Sequence, residues 1–136
     1  MPESIEGPAK ELLDSPNFAS VGTIRRDGTA QVVVVWVDMD GADVVLNTAE
    51  GRGWHNNLTR DPRVTIAVPN KDNPYEFMSL TGTVVEDTRE GADEHIDALA
   101  KKYLGLDEYP MHQPGEERTK IRIRPDRVYY QAPPPS

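Results

Sequence analysis

Apolar positions along the chain fall into two periods. Over residues 8–15 (PAKELLDS) the spacing is helical, with Pro8 near the first turn and Pro16 past the end. From residue 18 onward strands take over. Phe18–Ile24 reads as a strand, closed by Arg25-Arg26-Asp27-Gly28, whose Asp-Gly pair suits a tight hairpin. Thr29–Asp38 follows as a second strand, in which Val32–Val37 are apolar without a break; such a run predicts cover on both faces. Asp40-Gly41 turns the chain into a third strand, Asp43–Thr48. Three strands joined by two tight turns predict a meander, the opening of a barrel or sandwich.

The period changes at Ala49–Asp61 (AEGRGWHNNLTRD), where glycines precede Trp54 and Leu58 at helical spacing before Pro62. This segment reads as a loop leading into a short helix. Arg63–Val68 is the fourth strand and Asn70–Pro74 a turn-rich loop. Tyr75–Glu86 is a long fifth strand, in which Gly82 predicts a bulge or a close backbone approach. Thr88–Leu104 is the strongest helix, with Ala92, His95 or Ile96, Leu99 and Tyr103 on one stripe and Gly105 behind it. Leu106–Glu117 is a loop of a dozen residues, long enough to suspect a role. Thr119–Tyr130 alternates as a sixth, closing strand until Pro125 interrupts it. The pattern predicts one domain over residues 1–131 and a Pro-rich, disordered tail over 132–136.

Length agrees, since 136 residues make one ordinary domain. A domain of this size buries roughly 68% of its unfolded surface, enough for a core without staples. The chain has no cysteine, which removes disulfides and thiolate chemistry and favours a cytoplasmic setting. Residues 1–10 contain no apolar signal region and no stretch approaches eighteen apolar residues, so neither secretion nor a membrane span is expected. Net charge is −8, which argues against generic binding to nucleic acid. The acidity is uneven. Glu86–Asp97 holds six acids and one base, whereas Gly51–Arg63 carries Arg52, Arg60 and Arg63 against Asp61 alone. That basic segment is where a small anionic ligand would be sought.

Chemistry legible from residue types is sparse. His55, His95 and His112 are far apart and form no metal-ligand spacing. His95 lies near the apolar stripe of the long helix and reads as a core or boundary residue; His112, in the late loop, could line a pocket. No nucleophile elbow or phosphate-loop sequence is present, and Gly51-Arg52-Gly53 is too short for a dinucleotide fingerprint. What remains is Asn47–Arg63: a strand end, a Gly-rich turn and a helix start, which bring backbone N–H groups and the helix's positive end together. Such a junction suits a phosphate, with Arg52 as a bidentate partner.

A longer succession adds more. Arg25-Arg26-Asp27-Gly28-Thr29-Ala30-Gln31-Val32, Trp36, Asp38-Met39-Asp40-Gly41, Asn47-Thr48-Ala49-Glu50-Gly51-Arg52 and Asn57-Leu58-Thr59-Arg60-Asp61-Pro62-Arg63-Val64 occur in order. Asp72-Asn73-Pro74-Tyr75, Tyr103-Leu104-Gly105 and Arg122-Ile123-Arg124-Pro125-Asp126-Arg127-Val128 complete it. This chain resembles the pyridoxamine 5′-phosphate oxidase-like split-barrel superfamily. More narrowly, it resembles the actinobacterial flavin/deazaflavin oxidoreductase branch, many of whose members use coenzyme F-420.

The resemblance implies a mainly β fold: a six-stranded antiparallel split β-barrel with two or three short flanking helices. It also implies a homodimer with the cofactor in a cleft between subunits. Arg52 and Asn57 match the family's residues at the phosphate-holding junction. Thr48 and Ala49 match the strand end beside the cofactor, Gln31 and Val33 the strand whose backbone faces the ring, and Tyr75 an aromatic near ring or substrate. Trp54 departs from the pattern, since related sequences commonly carry a phosphate-binding lysine there. Its indole either packs as a helix residue against the barrel or contributes apolar contact to the ligand. The implied activity is hydride transfer from F-420 to an unsaturated small molecule such as an enone or a tetrapyrrole. FMN is the alternative cofactor, and a non-catalytic flavin, deazaflavin or haem binder is the alternative function. A haem carrier would need an axial ligand, for which His55 or His112 is the histidine of interest.

Overall fold

A computed structural model describes residues 2–135. Helix α1 (Gly7–Asp14) carries Pro at its first turn and buries Ala9, Leu12 and Leu13 against the sheet. Strands β1 (Ala19–Ile24) and β2 (Ala30–Val35) form the first hairpin. Its turn is tied by the Asp27 carboxylate, which accepts from the Thr29 backbone N–H at 3.0 Å and the Thr29 hydroxyl at 2.6 Å. Then come β3 (Asp38–Asp40), β4 (Asp43–Ala49), α2 (Gly53–Arg60), β5 (Arg63–Asn70), β6 (Asn73–Thr88), α3 (Ala92–Leu104) and β7 (Arg118–Gln131).

The strands make one antiparallel sheet in the order β2-β1-β5-β6-β7-β4-β3. There are seven strands and not the six expected. The single strand expected over Thr29–Asp38 breaks at Trp36-Val37: its first half pairs with β1 and its second with β4, at opposite ends of the sheet. Laid flat, seven strands would place those two edges about 29 Å apart. Two intervening residues can span only about 11 Å. The sheet must therefore roll until its edges meet at this corner. No ladder joins β2 to β3 among the described residues, so the barrel stays open along that seam.

Helix α3 pins the corner. The Tyr103 hydroxyl accepts from the Val37 N–H at 3.0 Å and donates to the Asn17 carbonyl at 2.6 Å. Lys102 donates to the carbonyls of Val37 (2.7 Å) and Leu13. Burial pushes the Tyr103 phenol up to about 12, so the hydroxyl remains a donor throughout the neutral range. Desolvation also lowers the Lys102 ammonium, and its neighbours Asp38 and Asp14 oppose that.

The rolled interior is filled by Leu13, Val21, Val37, Val44, Leu46, Ile66, Val68, Met78, Ile121 and Ile123, all fully buried. Gly82 does what its place in a strand predicts. A β-carbon there would come within 2.7 Å of the Arg124 carbonyl oxygen and of Ile123 Cγ2, at the point where the β6–β7 register shifts. Pro125 lies inside β7 and does not end it. Pairing with β4 has stopped at Ile123, and the β6 side is irregular opposite Gly82, a setting that tolerates proline. Helix α3 starts at Ala92, later than expected, because β6 keeps pairing through Thr88. Residues 132–135 are exposed and carry no helix or strand, and Ser136 of the expected tail lies outside the described residues. No helix among the described residues is long and apolar enough to cross a membrane.

Candidate functional site

Two clefts flank the edge strand β2, and they differ in chemistry. The first lies against α2. The turn before this helix needs a left-handed residue, supplied by Gly51 at φ +94°. Arg52 caps α2 with extended backbone and no side-chain hydrogen bond, and no acid occupies the first turn. The helix start is therefore electropositive and unquenched by side chains. Asn57 fixes α2 in place: its amide donates to Thr23 Oγ1 and to Gln31 Oε1, both at 3.0 Å, crosslinking the helix to β1 and β2. Arg25, Arg26 and Arg60 surround the opening between β2 and this helix, with Gly53, Asn56 and Thr59 on its wall. Arg25 is held by the Ala30 carbonyl at 3.0 Å, and Arg60 by the Ile24 carbonyl. Arg26 has no hydrogen-bond partner among the described residues and is exposed.

The second cleft lies at the far end of β2, beside Val34 and Val35, against α3 and the late loop. Trp36, Tyr109, Met111 and Leu99 give it apolar walls, and Arg118 and Arg52 line it as well. Trp36 stacks on Tyr103 at 5.2 Å between ring centroids and meets Tyr109 edge-on at 5.9 Å. The side chain of Arg118 is only 3% exposed. Its Nε donates to Asn47 Oδ1 at 2.7 Å, its Nη1 to Glu116 Oε1 at 2.9 Å, and its guanidinium lies 5.1 Å from the Tyr109 ring centre. Asn47 in turn donates to the Ala92 carbonyl at 2.8 Å and faces His95 Nδ1 at 3.2 Å. Arginine can only donate, so Asn47 turns its oxygen to Arg118 and its amide to His95. His95 Nδ1 must then accept, which puts the ring proton on Nε2 and leaves the imidazole neutral. Burial drives its pKa down to about 4, in the same direction.

The expected site residues divide between these clefts and elsewhere. Gln31 and Asn57 meet on the α2 cleft, and Arg52 stands on the lip of the aromatic one. Thr48 and Ala49 are buried at the end of β4, so only their backbone could border a ligand. Val33 turns its side chain into the core. Trp54 is an interior residue: 4% exposed and within the core cluster, it packs under α2 and lines neither cleft. Tyr75, 68% exposed at the start of β6, also lines neither.

His55 is buried, its Nε2 2.7 Å from Asp87 Oδ2, with Nδ1 enclosed and unpartnered. His112 packs edge-on against Tyr109 and sits 3.4 Å from Asp97, beside the aromatic cleft and not on its wall. His95 sits at the boundary, as its place on the helix stripe suggested. The residues that sequence reasoning missed are Asn47, Trp36, Tyr109 and Arg118. Nothing local distinguishes Arg118 from other strand-end arginines; its burial comes from α3 and the late loop closing over it.

A barrel open along one seam, with two clefts beside its free edge strand, defines a split-barrel fold. The chain belongs to the pyridoxamine 5′-phosphate oxidase family, whose model matches residues 5–132. Among solved structures it is similar to an F420 reductase, at 25% identity and TM-score 0.80, over 92% of this chain and 98% of that one. A conserved hypothetical protein of Mycobacterium tuberculosis shares the fold at 20% identity and TM-score 0.73, over 98% of this chain and 92% of that one. A DNA ligase of Stenotrophomonas maltophilia (strain K279a) is 30% identical over 97 residues, 71% of this chain; the chain spans 12% of the ligase's length.

Proposed function

We propose that this protein is an oxidoreductase that uses the deazaflavin F-420 and passes hydride to an unsaturated small molecule. The observation that carries the reading is the α2 cleft: three arginines and an unquenched helix start gathered beside β2, in a chain of net charge −8. F-420 bears a phosphate and an oligoglutamate tail, and this donor set fits such a polyanion. The likeness to an F420 reductase supports the same choice. When bound, the coenzyme supplies the hydride from C5 of its reduced ring. The chain's own part is to hold the anionic end at Arg25, Arg26 and Arg60, to orient the ring along β2, and to keep water from the reacting atoms.

The proposal includes a homodimer. The outward side chains of β2, Val32 and Val34, are 64% and 67% exposed, and Phe18 beside them 48%. The unbroken valine run predicted cover on both faces, and a single chain covers only one. A second copy against β2 would bury these side chains and wall both clefts. Light scattering at micromolar concentration should give twice 15.2 kDa, and Val34→Glu should return a monomer. A wild-type mass of one chain would end this part of the proposal.

The central test is a titration of F-420, FMN and haem at low and high salt. F-420 should bind tightest, with affinity falling as salt rises. Reduced F-420 should then be oxidised in the presence of a cyclic enone. Tighter binding of FMN would overturn the deazaflavin reading. Of the two histidines a haem could use, His55 is interior and His112 is exposed beside Tyr109, so haem saturation that disappears in His112→Ala would favour the haem-binding alternative.

A further inference from the structure

We infer that the aromatic cleft takes the hydride acceptor, and that this acceptor is a planar conjugated molecule bearing a carboxylate held by Arg118. The word acceptor rests on the F-420 reading above; the anionic ligand does not. Arg118 and Arg52 share one carboxylate, Glu116, at 2.9 and 3.9 Å. Two guanidiniums against one carboxylate leave one positive charge uncompensated at the cleft wall, where the remaining lining is apolar or neutral. Arg118, itself buried, keeps the nearer contact to Glu116, so the uncompensated charge falls on Arg52, 47% exposed at the cleft lip, where an incoming carboxylate would complete it.

Geometry then narrows the ligand. Nε and Nη1 of Arg118 are engaged by Asn47 and Glu116, while Nη2 has no partner among the described residues. One guanidinium nitrogen suits one carboxylate oxygen; a phosphate would need the fuller donor set of the α2 cleft. The aim of Arg118 is set in advance, because Asn47 is itself held by the Ala92 carbonyl and by His95. Trp36, backed by Tyr103 and braced edge-on by Tyr109, offers a rigid flat wall. Such a wall selects a planar ring over a flexible chain.

The test is isothermal titration calorimetry of the full chain with 2-naphthoate and with its uncharged analogue 2-naphthamide. Wild type should prefer the acid by tenfold or more. Arg118→Gln should abolish that preference, weakening naphthoate about ten- to a hundred-fold and leaving naphthamide and F-420 unchanged. Equal wild-type affinity for acid and amide would overturn the inference. So would loss of F-420 binding in a folded Arg118→Gln, since the cleft would then hold the coenzyme. If Arg118→Gln does not fold, two other variants decide. Arg118→Lys should keep the acid preference, and Glu116→Gln should raise naphthoate affinity several-fold; the opposite result in either rejects the site. If wild type binds no F-420 but shows the Arg118-dependent acid preference, the coenzyme proposal falls and the carboxylate site stands.

Discussion

The two clefts beside β2 sit at opposite ends of one strand, yet they are built on opposite principles. The α2 cleft keeps its charges at the surface. Arg25, Arg26 and Arg60 are all exposed, and none is paired with a carboxylate: Arg25 and Arg60 donate to backbone carbonyls and to the neutral side chains of Thr29 and Asn57. Water screens them, so they attract an anion without a large desolvation cost and without a strict geometry. The aromatic cleft instead buries one arginine and locks it through Asn47, Glu116 and Tyr109. The first arrangement suits a long, solvated polyanion; the second suits a small ligand whose position must be exact for transfer. Soft capture and rigid orientation are different tasks, and in the proposed reading they fall at opposite ends of the same strand.

The largest effect that could break this comparison is at Trp54. If α2 is polar only on its cleft side, Trp54→Lys buries an unpaired ammonium in the core and should cost about 3–5 kcal/mol. A thermal melt reads this directly. An unchanged melt with tighter F-420 binding would mean that residue 54 reaches the α2 cleft after all.

Acid should separate the two clefts next. His95 is neutral in the folded chain, with its pKa down to about 4, whereas in the unfolded chain it titrates near 6.5. The unfolded state therefore takes up the proton first as pH falls. Stability from this group is complete above about 6.5 and drains away toward 4, by at most about 3 kcal/mol. Because the folded His95 stays neutral down to about 4, its support of Asn47, and Asn47's of Arg118, should hold naphthoate binding steady through that window and fail only as pH reaches about 4. His95→Gln should flatten the pH dependence of the melt. A melt whose pH slope is the same in the variant would remove His95 from the account.

The smallest effect belongs to the exposed arginines. Arg26→Ala should weaken F-420 about five- to ten-fold, reduce the salt dependence of binding, and leave the melt and the naphthoate affinity alone. Arg52→Ala sharpens the contrast, since the resemblance implies a phosphate-holding role for Arg52 while the residue stands on the aromatic lip. Titration with both ligands shows which cleft it serves. A loss for F-420 alone would place the phosphate there; a loss for naphthoate alone would leave the phosphate to Arg25, Arg26 and Arg60.

Much of the fold was written locally. Alternating apolar residues, the Asp-Gly and Gly-rich turns, and the Pro8 and Gly105 helix ends each act over a few neighbours. The chain's strands and three helices therefore appear close to where their residues predict them. Gly82 also announced its close approach, because a glycine within a long strand has few other uses. The valine run was misleading for a physical reason. Periodicity reports which side chains are apolar, and it cannot report that the chain will change partners at Trp36-Val37. That break is decided by α3, whose Lys102 and Tyr103 bind the corner from 65 and 66 residues away.

The sequence by itself determined the antiparallel, mainly β character, the junction of β4 with α2, and the basic bias of that junction in an acidic protein. Only the tertiary structure decided that Trp54 faces inward, that Tyr75 stands apart from both clefts, and that Arg118 is buried. Local pattern is governed by steric and hydrogen-bond preferences between near neighbours, which a single strand or helix already expresses. A cleft exists only where elements distant in the chain close on one another. Its charges take their meaning from which groups that closure leaves paired and which it leaves waiting.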